Sequence, residues 1–522
     1  MYRKNAFGNP DGSRTEIDDM MAQFVDFDER FFPSGISTNE DYKTRVISGS
    51  KGSGKTVYLR RMGAKLKKND SVFISEIEQE VPSTDLIIKF SQNFIEKHLT
   101  EKWMYLWRVA IIRSLVSNIL LNDDWNDGVP DNLKDKLIKH TGKKDIFPEY
   151  IVPMGIYAEA RRILYEYDTA NLINNYINNP VWDEIDIIIN RIMKYLPPIY
   201  FFIDSVDEEY GHAPMYWMRC QKGLFYRVMR LFRNETYGNK LHVVISIRDN
   251  VLASIYRSEH HTRYISEEHI KLLTWNYSAI KYFLDSKINS LKECYFINVL
   301  GEKNIYNWLG IKEIFNINRN MKEPIEQYIL RHTRLLPRDI IIMGNSLAEI
   351  RNIKENTVDF DLEKIIRKRV SNAAKAFGNE LLQICANQVI NNEMPKGAAQ
   401  KEFSEVYTSI EEYNDTIVEE IKSILLDINS DKLTNIDLLK LEEKANEKLG
   451  DKNKLFDVLW QNGALGYLDS GSNGEEEIFF TANEYLEFLL PRNKQIYILR
   501  SCLIDALGIR NDNWDKRPVL GY

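Results

Sequence analysis

The stretch VISGSKGSGKTVYL, residues 46–59, combines an apolar strand, a loop with three glycines and the start of a helix. The segment TRVIS supplies the strand before the loop, and TVYLRRMGAKL supplies a good helix after it. A strand, a glycine-rich loop and a helix in this order are typical of an α/β fold. The sequence therefore predicts an α/β protein with a parallel sheet.

The loop, called the glycine loop below (Gly49–Thr56), has the P-loop spacing Gly49-x-x-x-x-Gly54-Lys55-Thr56. Glycines let backbone N–H groups turn inward around phosphates, and the following helix directs its positive dipole end at the same anion. Lys55 is able to reach the outer phosphates, and the Thr56 hydroxyl is able to bind Mg²⁺. A surface turn that matches by chance is the alternative, and the flanking strand and helix argue against it. We therefore predict that ATP and Mg²⁺ are held by Gly49, Ser50, Lys51, Gly52, Ser53, Gly54, Lys55 and Thr56.

A second motif, PPIYFFIDSVDEEY at residues 197–210, contains an acidic residue at the end of an apolar run. The run Ile199–Ile203 suits a buried parallel strand, and Asp204 follows it where α/β sheets bind their ligands. We predict that Asp204 holds Mg²⁺ and that either Asp207 or Glu208 polarises an attacking water. The alternative is an edge strand that ends in a solvated acidic turn.

Two arginines are candidate phosphate sensors. Arg248 follows the apolar strand HVVISI, where it would contact the γ-phosphate of a bound nucleotide. Arg338 follows Pro337 at the start of a helix in RHTRLLPRDIIIMGNSL, from which a lid could reach the phosphates. The alternatives stay open: a surface salt bridge for Arg248 and a helix-start charge for Arg338.

Composition places the chain among soluble globular proteins. Its 522 residues are 44% hydrophobic and 28% charged, with a net charge of −7. The four cysteines lie far apart without metal-binding spacing, which predicts reduced thiols. The N-terminus lacks the apolar core of a signal peptide, and Arg108 and Arg113 interrupt the most apolar helix candidate. We therefore expect a cytoplasmic protein without a membrane span.

The order of patterns along the chain predicts several regions. Strand candidates occur at residues 44–48, 71–76, 199–203, 242–247 and 268–273. The sequence between the second and third strands is mostly helical and much longer than one crossover needs. We predict an N-terminal lead-in at 1–40, a P-loop core at 41–275 with a helical insertion at about 80–195, a helical lid at 276–395 and a winged-helix-like domain at 396–522.

The last region is acidic. LTNIDLLKLEEKANEKLG and NKLFDVLWQNGALGYLDS predict two helices, and the GSNG segment after them predicts a hairpin tip, in the order of a winged helix. Residues 401–522 contain 14 lysines and arginines against 24 aspartates and glutamates. Because a DNA-binding version should be basic, we expect this domain to contact protein instead, or to inhibit the chain's own activity.

Taken together, these motifs resemble the STAND and AAA+ classes of P-loop ATPases. Asp204-Ser205-Val206-Asp207-Glu208 is most similar to the acidic motif of NACHT-type members, and LLPRD resembles the lid arginine of origin-recognition-like AAA+ proteins. The outline, over roughly residues 25–345, is similar to uncharacterised bacterial P-loop ATPases of antiviral defence loci that carry a C-terminal winged helix. One departure is Ser205, because common AAA+ proteins have a glutamate base there. The base must then be Asp207 or Glu208, or hydrolysis is slow.

The resemblance implies a regulatory ATPase that acts as a molecular switch through a partner or effector protein, in bacterial antiphage defence. It also implies a homo-oligomer in which an arginine from a neighbouring subunit completes the site. Arg227, Arg230 and Arg233 lie three residues apart on one predicted helix, and Arg233 is our choice for this role. A solvated basic stripe is the alternative. The competing function is a DNA-handling ATPase of the origin-recognition or DNA-motor type.

Overall fold

The computed structural model describes most of the chain. The described residues are 5–22, 24, 44–68, 73–78, 83–142, 147, 152–204, 214–233, 236–256, 261–264, 267–299, 301–317, 320–356, 361–393, 410–428, 432–450, 454–471, 474–480 and 489–509. They form two compact units. The sheet unit comprises Asp28–Lys51 and Lys55–Leu273. The C-terminal unit comprises Met1–Phe27, with α1 (Ile17–Ala22), the short segment Gly52–Gly54, and Thr274–Tyr522.

The sheet unit is built on five parallel strands. They are β1 (Val46–Gly49), β2 (Phe73–Glu78), β3 (Ile199–Ile203), β4 (Leu241–Arg248) and β5 (Ile270–Leu272). Their order across the sheet is β2-β3-β4-β1-β5. Every residue of β1, β3 and β4 is buried, which explains why these strands are nearly continuous apolar runs. The predicted α/β class with a parallel sheet is confirmed, and each predicted strand overlaps an observed one.

Helices supply the rest of the sheet unit. They are α2 (Lys55–Leu66), α3 (Thr84–Gln92), α4 (Glu96–Leu121), α5 (Asp123–Asn126), α6 (Asp131–Thr141), α7 (Ile156–Glu166), α8 (Ala170–Ile177), α9 (Val181–Ile192), α10 (Pro214–Arg233), α11 (Asp249–Tyr256) and α12 (His261–Tyr264). Helices α3 to α9 lie between β2 and β3 in the chain and are called the helical insertion below. The described residues between these two strands are therefore mainly helical, and the bounds predicted for the insertion stay a prediction.

Helix α4 is the central helix of the insertion. Trp103 and Trp107 are buried, and Gly223 of α10 allows a close approach, because a Cβ there would lie 2.5 Å from the Cβ of Trp103. Among the described residues, only this helix is long and apolar enough to cross a membrane, and 67% of its apolar window is buried inside the fold. Arg113 is also buried and pairs with Glu159 of α7 at 2.7 Å. These features are those of a core helix.

The C-terminal unit contains many helices and two antiparallel sheets. Its other helices are α13 (Tyr277–Asn289), α14 (Ile305–Leu309), α15 (Ile325–Arg331), α16 (Pro337–Ala348), α17 (Ile350–Asn356), α18 (Leu362–Glu393), α19 (Ile410–Leu425), α20 (Asn435–Leu449), α21 (Leu455–Gln461) and α22 (Ser501–Leu507). Its strands are β6 (Glu313–Asn316), β7 (Met321–Pro324), β8 (Lys432–Thr434), β9 (Leu465–Gly471), β10 (Gly474–Phe479) and β11 (Ile496–Leu499). Strands β6 and β7 pair with each other, and the other four follow the order β10-β9-β11-β8.

The predicted order of helix, helix and hairpin is present as α20, α21 and the β9–β10 pair. The sheet also contains β8 and β11, and β11 pairs with both β8 and β9. Helix α21 is packed into the core, with every residue from Leu455 to Trp460 buried. The assignment as a winged helix stays a prediction.

The N-terminal residues are part of the C-terminal unit. Phe7 is buried in its core against Trp308, with ring centroids 5.0 Å apart. The side chain of Asn345 accepts a hydrogen bond from the Phe7 N–H at 2.7 Å and donates one to the Gly8 carbonyl at 2.9 Å. The predicted lead-in is thus anchored at its start on α16, and most of residues 23–43 lie outside the described part of the chain.

Candidate functional site

The glycine loop directly follows β1 and ends at the first residues of α2. Gly52 has a φ of +90° and Gly54 a φ of +97°, backbone conformations that other residues rarely adopt. Lys55 is buried, and its Nζ donates hydrogen bonds to the carbonyls of Gly49 at 3.0 Å and Ser50 at 3.1 Å. The ammonium group is therefore held along the start of the loop, between the end of a buried strand and the first turn of a helix.

Asp204 follows the last residue of β3, and each of its carboxylate oxygens accepts a hydrogen bond from a hydroxyl group. Thr56 Oγ1 donates to Oδ2 at 2.5 Å, and Ser246 Oγ of β4 donates to Oδ1 at 2.5 Å. Asp204 is only 5% exposed, so these contacts stabilise a buried carboxylate that would otherwise be costly. The structure thus brings Thr56 into contact with Asp204, although the two residues are 148 positions apart in the sequence. Both residues, and Lys55 next to Thr56, were predicted as site residues.

Hard oxygen ligands suit Mg²⁺, which usually combines one or two carboxylates with waters and phosphate oxygens. The Thr56 hydroxyl and the Asp204 carboxylate are adjacent ligands of this kind. Within the described residues there is no group of three or more His, Cys, Asp and Glu side chains that could hold a metal by itself. The donor set therefore fits an ion that shares its coordination with a bound phosphate.

Ser246 was not among the predicted site residues. It is the single hydroxyl residue inside the buried run Val243–Ile247 of β4. The available signal was a polar residue inside an apolar strand. Its partner Asp204 follows the neighbouring strand β3, and this contact could be predicted only with knowledge of the strand order.

Arg248 ends β4 and lies opposite Gly49 in the register of the parallel pair β1–β4. It is buried, and the next residue, Asp249, begins α11. The structure therefore places Arg248 beside the first residue of the glycine loop, as a phosphate sensor would require. Its role in sensing a phosphate stays a prediction.

Arg338 belongs to the C-terminal unit, where it stands at the start of α16. Its backbone N–H donates to the Gly52 carbonyl at 3.4 Å, and a Cβ on Gly52 would lie 3.1 Å from the Cβ of Arg338. In the same unit, Trp275 Nε1 donates to the Ser53 carbonyl at 2.9 Å. The Arg338 guanidinium is 3.8 Å from Glu380, so its side chain also fits the alternative of a helix-start charge.

Arg233 is engaged by residues of its own chain. Its Nη2 donates to Glu267 Oε2 at 2.7 Å and to the Arg263 carbonyl at 3.1 Å. The guanidinium also lies over the Tyr264 ring, 4.5 Å from its centroid. An arginine acting in trans would have to leave the ion pair with Glu267, and this role stays a prediction. Asp207 and Glu208, the candidate bases, lie outside the described residues.

Glu78, at the end of β2, is a second residue near the site that was not predicted from the sequence. Its backbone carbonyl accepts the Asp204 N–H at 3.0 Å, and its carboxylate accepts the N–H groups of Ile156 and Tyr157 at 2.6 and 2.7 Å. Burial raises the pKa of Glu78 to about 7, although the backbone N–H groups favour the charged form. No sequence pattern indicates this contact, because it joins residues from distant segments.

No protein-family model matches this chain. No curated protein matches it significantly either.

Proposed function

We propose that this protein is an ATP-binding, ATP-hydrolysing P-loop regulatory ATPase. The observation that carries the proposal is the contact between Thr56 and Asp204, next to the inward-turned Lys55. A glycine loop alone is a common pattern, but a hydroxyl, a buried carboxylate and a lysine converging at one sheet edge are the groups that a magnesium nucleotide needs. This convergence supports nucleotide binding over a surface turn.

The chemistry assigned to each residue follows from its position. Backbone N–H groups of the glycine loop and the start of α2 bind the phosphates, and Lys55 neutralises the outer ones. Thr56 and Asp204 would hold Mg²⁺, which would neutralise charge on the phosphate oxygens, while Ser246 orients the carboxylate. Asp207 or Glu208 would polarise the attacking water, and Arg248 would contact the γ-phosphate.

The biological role that we propose is a cytoplasmic molecular switch, in bacterial antiphage defence, that acts as a homo-oligomer on a partner or effector protein. The acidic composition of residues 401–522 supports a protein partner, because an excess of carboxylates repels the phosphates of a nucleic acid. DNA handling stays the competing prediction. ATP-dependent DNA retention with a steep salt dependence would support that alternative.

The Asp204→Asn variant tests the proposed site. The amide keeps the shape of the carboxylate but lacks its charge, so it should bind Mg²⁺ poorly. We expect the affinity for ATP in the presence of Mg²⁺ to fall at least tenfold, about 1.4 kcal/mol, with little change in its absence. Isothermal titration with and without Mg²⁺ measures both values.

Asp131→Asn is the matched control, because Asp131 is exposed in the first turn of α6. An equal Mg²⁺ dependence of ATP binding in Asp204→Asn and the unmodified protein would contradict the proposed metal role.

A further inference from the structure

The end of β2 connects the helical insertion to the candidate site. The Glu78 carboxylate accepts the N–H groups of Ile156 and Tyr157, and that of Ala158 at 3.4 Å. These are the first three residues of α7, whose N–H groups have no partner inside the helix. Glu78 therefore caps the N-terminus of α7, although it lies on a strand 78 residues before Ile156 in the sequence.

The approach of Glu78 to α7 depends on Gly155. A Cβ on Gly155 would lie 2.2 Å from the Glu78 carboxyl carbon. The backbone of Gly155 has a φ of −73° and a ψ of 172°, which any residue adopts without strain. Glycine is therefore needed here because a side chain would collide with the Glu78 carboxylate, and not because of the backbone conformation. The contact depends on both Glu78 and Gly155.

Helix α7 is firmly held to the rest of the insertion. Buried Arg113 of α4 pairs with Glu159 at 2.7 Å and Glu166 at 3.2 Å, and donates to the hydroxyl of Tyr176 in α8 at 2.8 Å. Ser114 Oγ donates to the Met154 carbonyl just before α7 at 2.7 Å. A shift of the insertion would therefore move α7 and pull on Glu78.

The backbone of Glu78 contacts the candidate site directly. Its backbone carbonyl accepts the Asp204 N–H at 3.0 Å, in the ladder that pairs Glu78 with Ile203. One residue therefore touches the insertion through its side chain and the magnesium aspartate through its backbone.

We propose that Glu78 is a positioning residue that fixes Asp204 relative to the helical insertion, so that the position of the insertion sets Mg²⁺-dependent ATP binding. This inference rests on the proposed function. It gives the insertion a role as the element through which a bound protein partner would control the ATP site. Supporting contacts around metal ligands typically change metal affinity by about 10- to 100-fold when they are removed.

A double-mutant cycle tests this link. Glu78→Ala removes the cap, and Gly155→Ala pushes the carboxylate away from α7. We expect each variant to raise the Mg²⁺ concentration for half-maximal ATP binding about tenfold. The double variant should be no worse than Glu78→Ala alone, because the added methyl group then meets no carboxylate. Asp131→Asn, an exposed first-turn acid of α6, should match the unmodified protein.

Hydrogen exchange of the Ile156–Ala158 amides shows whether the cap has opened. Faster exchange with an unchanged Mg²⁺ requirement would overturn the inference and leave Glu78 as a structural cap. Additive effects of the two substitutions would also overturn it. If Glu78→Ala fails to fold, Glu78→Gln and Gly155→Ala carry the test, since Gln has the same size but presents an amide N–H to one backbone donor. Failure of the unmodified protein to bind ATP with Mg²⁺ would contradict the proposed function itself, and with it this inference.

Discussion

At the scale of single residues, the candidate site depends on how Asp204 is held. A buried carboxylate is stable only when its oxygens accept hydrogen bonds or contact a cation. Thr56 of α2 and Ser246 of β4 each donate to one oxygen, so the orientation of the carboxylate is fixed from two different elements. Thr56 would also bind the metal, whereas Ser246 would act only through Asp204.

Ser246→Ala should therefore weaken Mg²⁺-dependent ATP binding less than Asp204→Asn. We expect a loss of up to about tenfold, the lower end of the effect of a supporting contact. Ser246→Thr keeps the hydroxyl and should restore most of the affinity. Titration of ATP at fixed Mg²⁺ measures the series.

Ser48→Ala is the control for this series. Ser48 is buried in β1, and its hydroxyl has no hydrogen-bond partner among the residues that the structure describes. A loss in Ser48→Ala equal to that in Ser246→Ala would show that any small change in this sheet weakens binding, and the role of Ser246 would be wrong.

The sequence predicted the residues of this site that belong to short motifs. Lys55 and Thr56 follow from the loop spacing, and Asp204 follows from its place after an apolar strand. Ser246 and Glu78 were missed because their roles come from neighbours on other strands. A serine in an apolar strand or a glutamate at a strand end has many ordinary explanations, and only the sheet order distinguishes them.

At the scale of elements, the long, buried strands were easier to predict than the short ones. Strands β1, β3 and β4 are buried on both faces and are therefore mostly apolar. Strands β6 and β7 were missed inside a region read as helical. They have four residues each, and two of their buried positions are the polar residues Asn316 and Glu323, so they lack an apolar strand pattern.

The N-terminal segment gives a prediction at this scale. Gly344 lies inside α16, where Ala would normally be favoured by about 0.5–1 kcal/mol. A Cβ at Gly344 would lie 2.3 Å from the Phe7 ring, so Gly344→Ala should instead release the segment around Phe7. Arg14 follows Phe7 by seven residues in the sequence. Trypsin cleavage after Arg14 should therefore become faster.

The same substitution in a Phe7→Ala protein is the control. Without the Phe7 ring, the added methyl group has no ring to collide with, so Gly344→Ala should not accelerate trypsin cleavage further in that protein. Equal acceleration in both backgrounds would show that Phe7 does not anchor the segment through Gly344.

At the scale of the whole molecule, the negative charge is concentrated towards the C-terminus of the chain. Residues 401–522 carry an excess of acidic residues, while the remainder of the chain is close to neutral. Of the candidate nucleotide-binding residues, Lys55, Thr56 and Asp204 belong to the sheet unit, and Gly52–Gly54 belong to the C-terminal unit. We expect the acidic region to contact a protein partner.

The central claim is that the glycine loop binds ATP, and ATP affinity in Lys55→Ala tests it most directly. Lys55 is the buried cation held along the loop, so its loss should reduce ATP affinity at least tenfold, about 1.4 kcal/mol. Lys68→Ala, an exposed lysine just after α2, should bind ATP like the unmodified protein. Unchanged ATP affinity in a folded Lys55→Ala protein would contradict the claim.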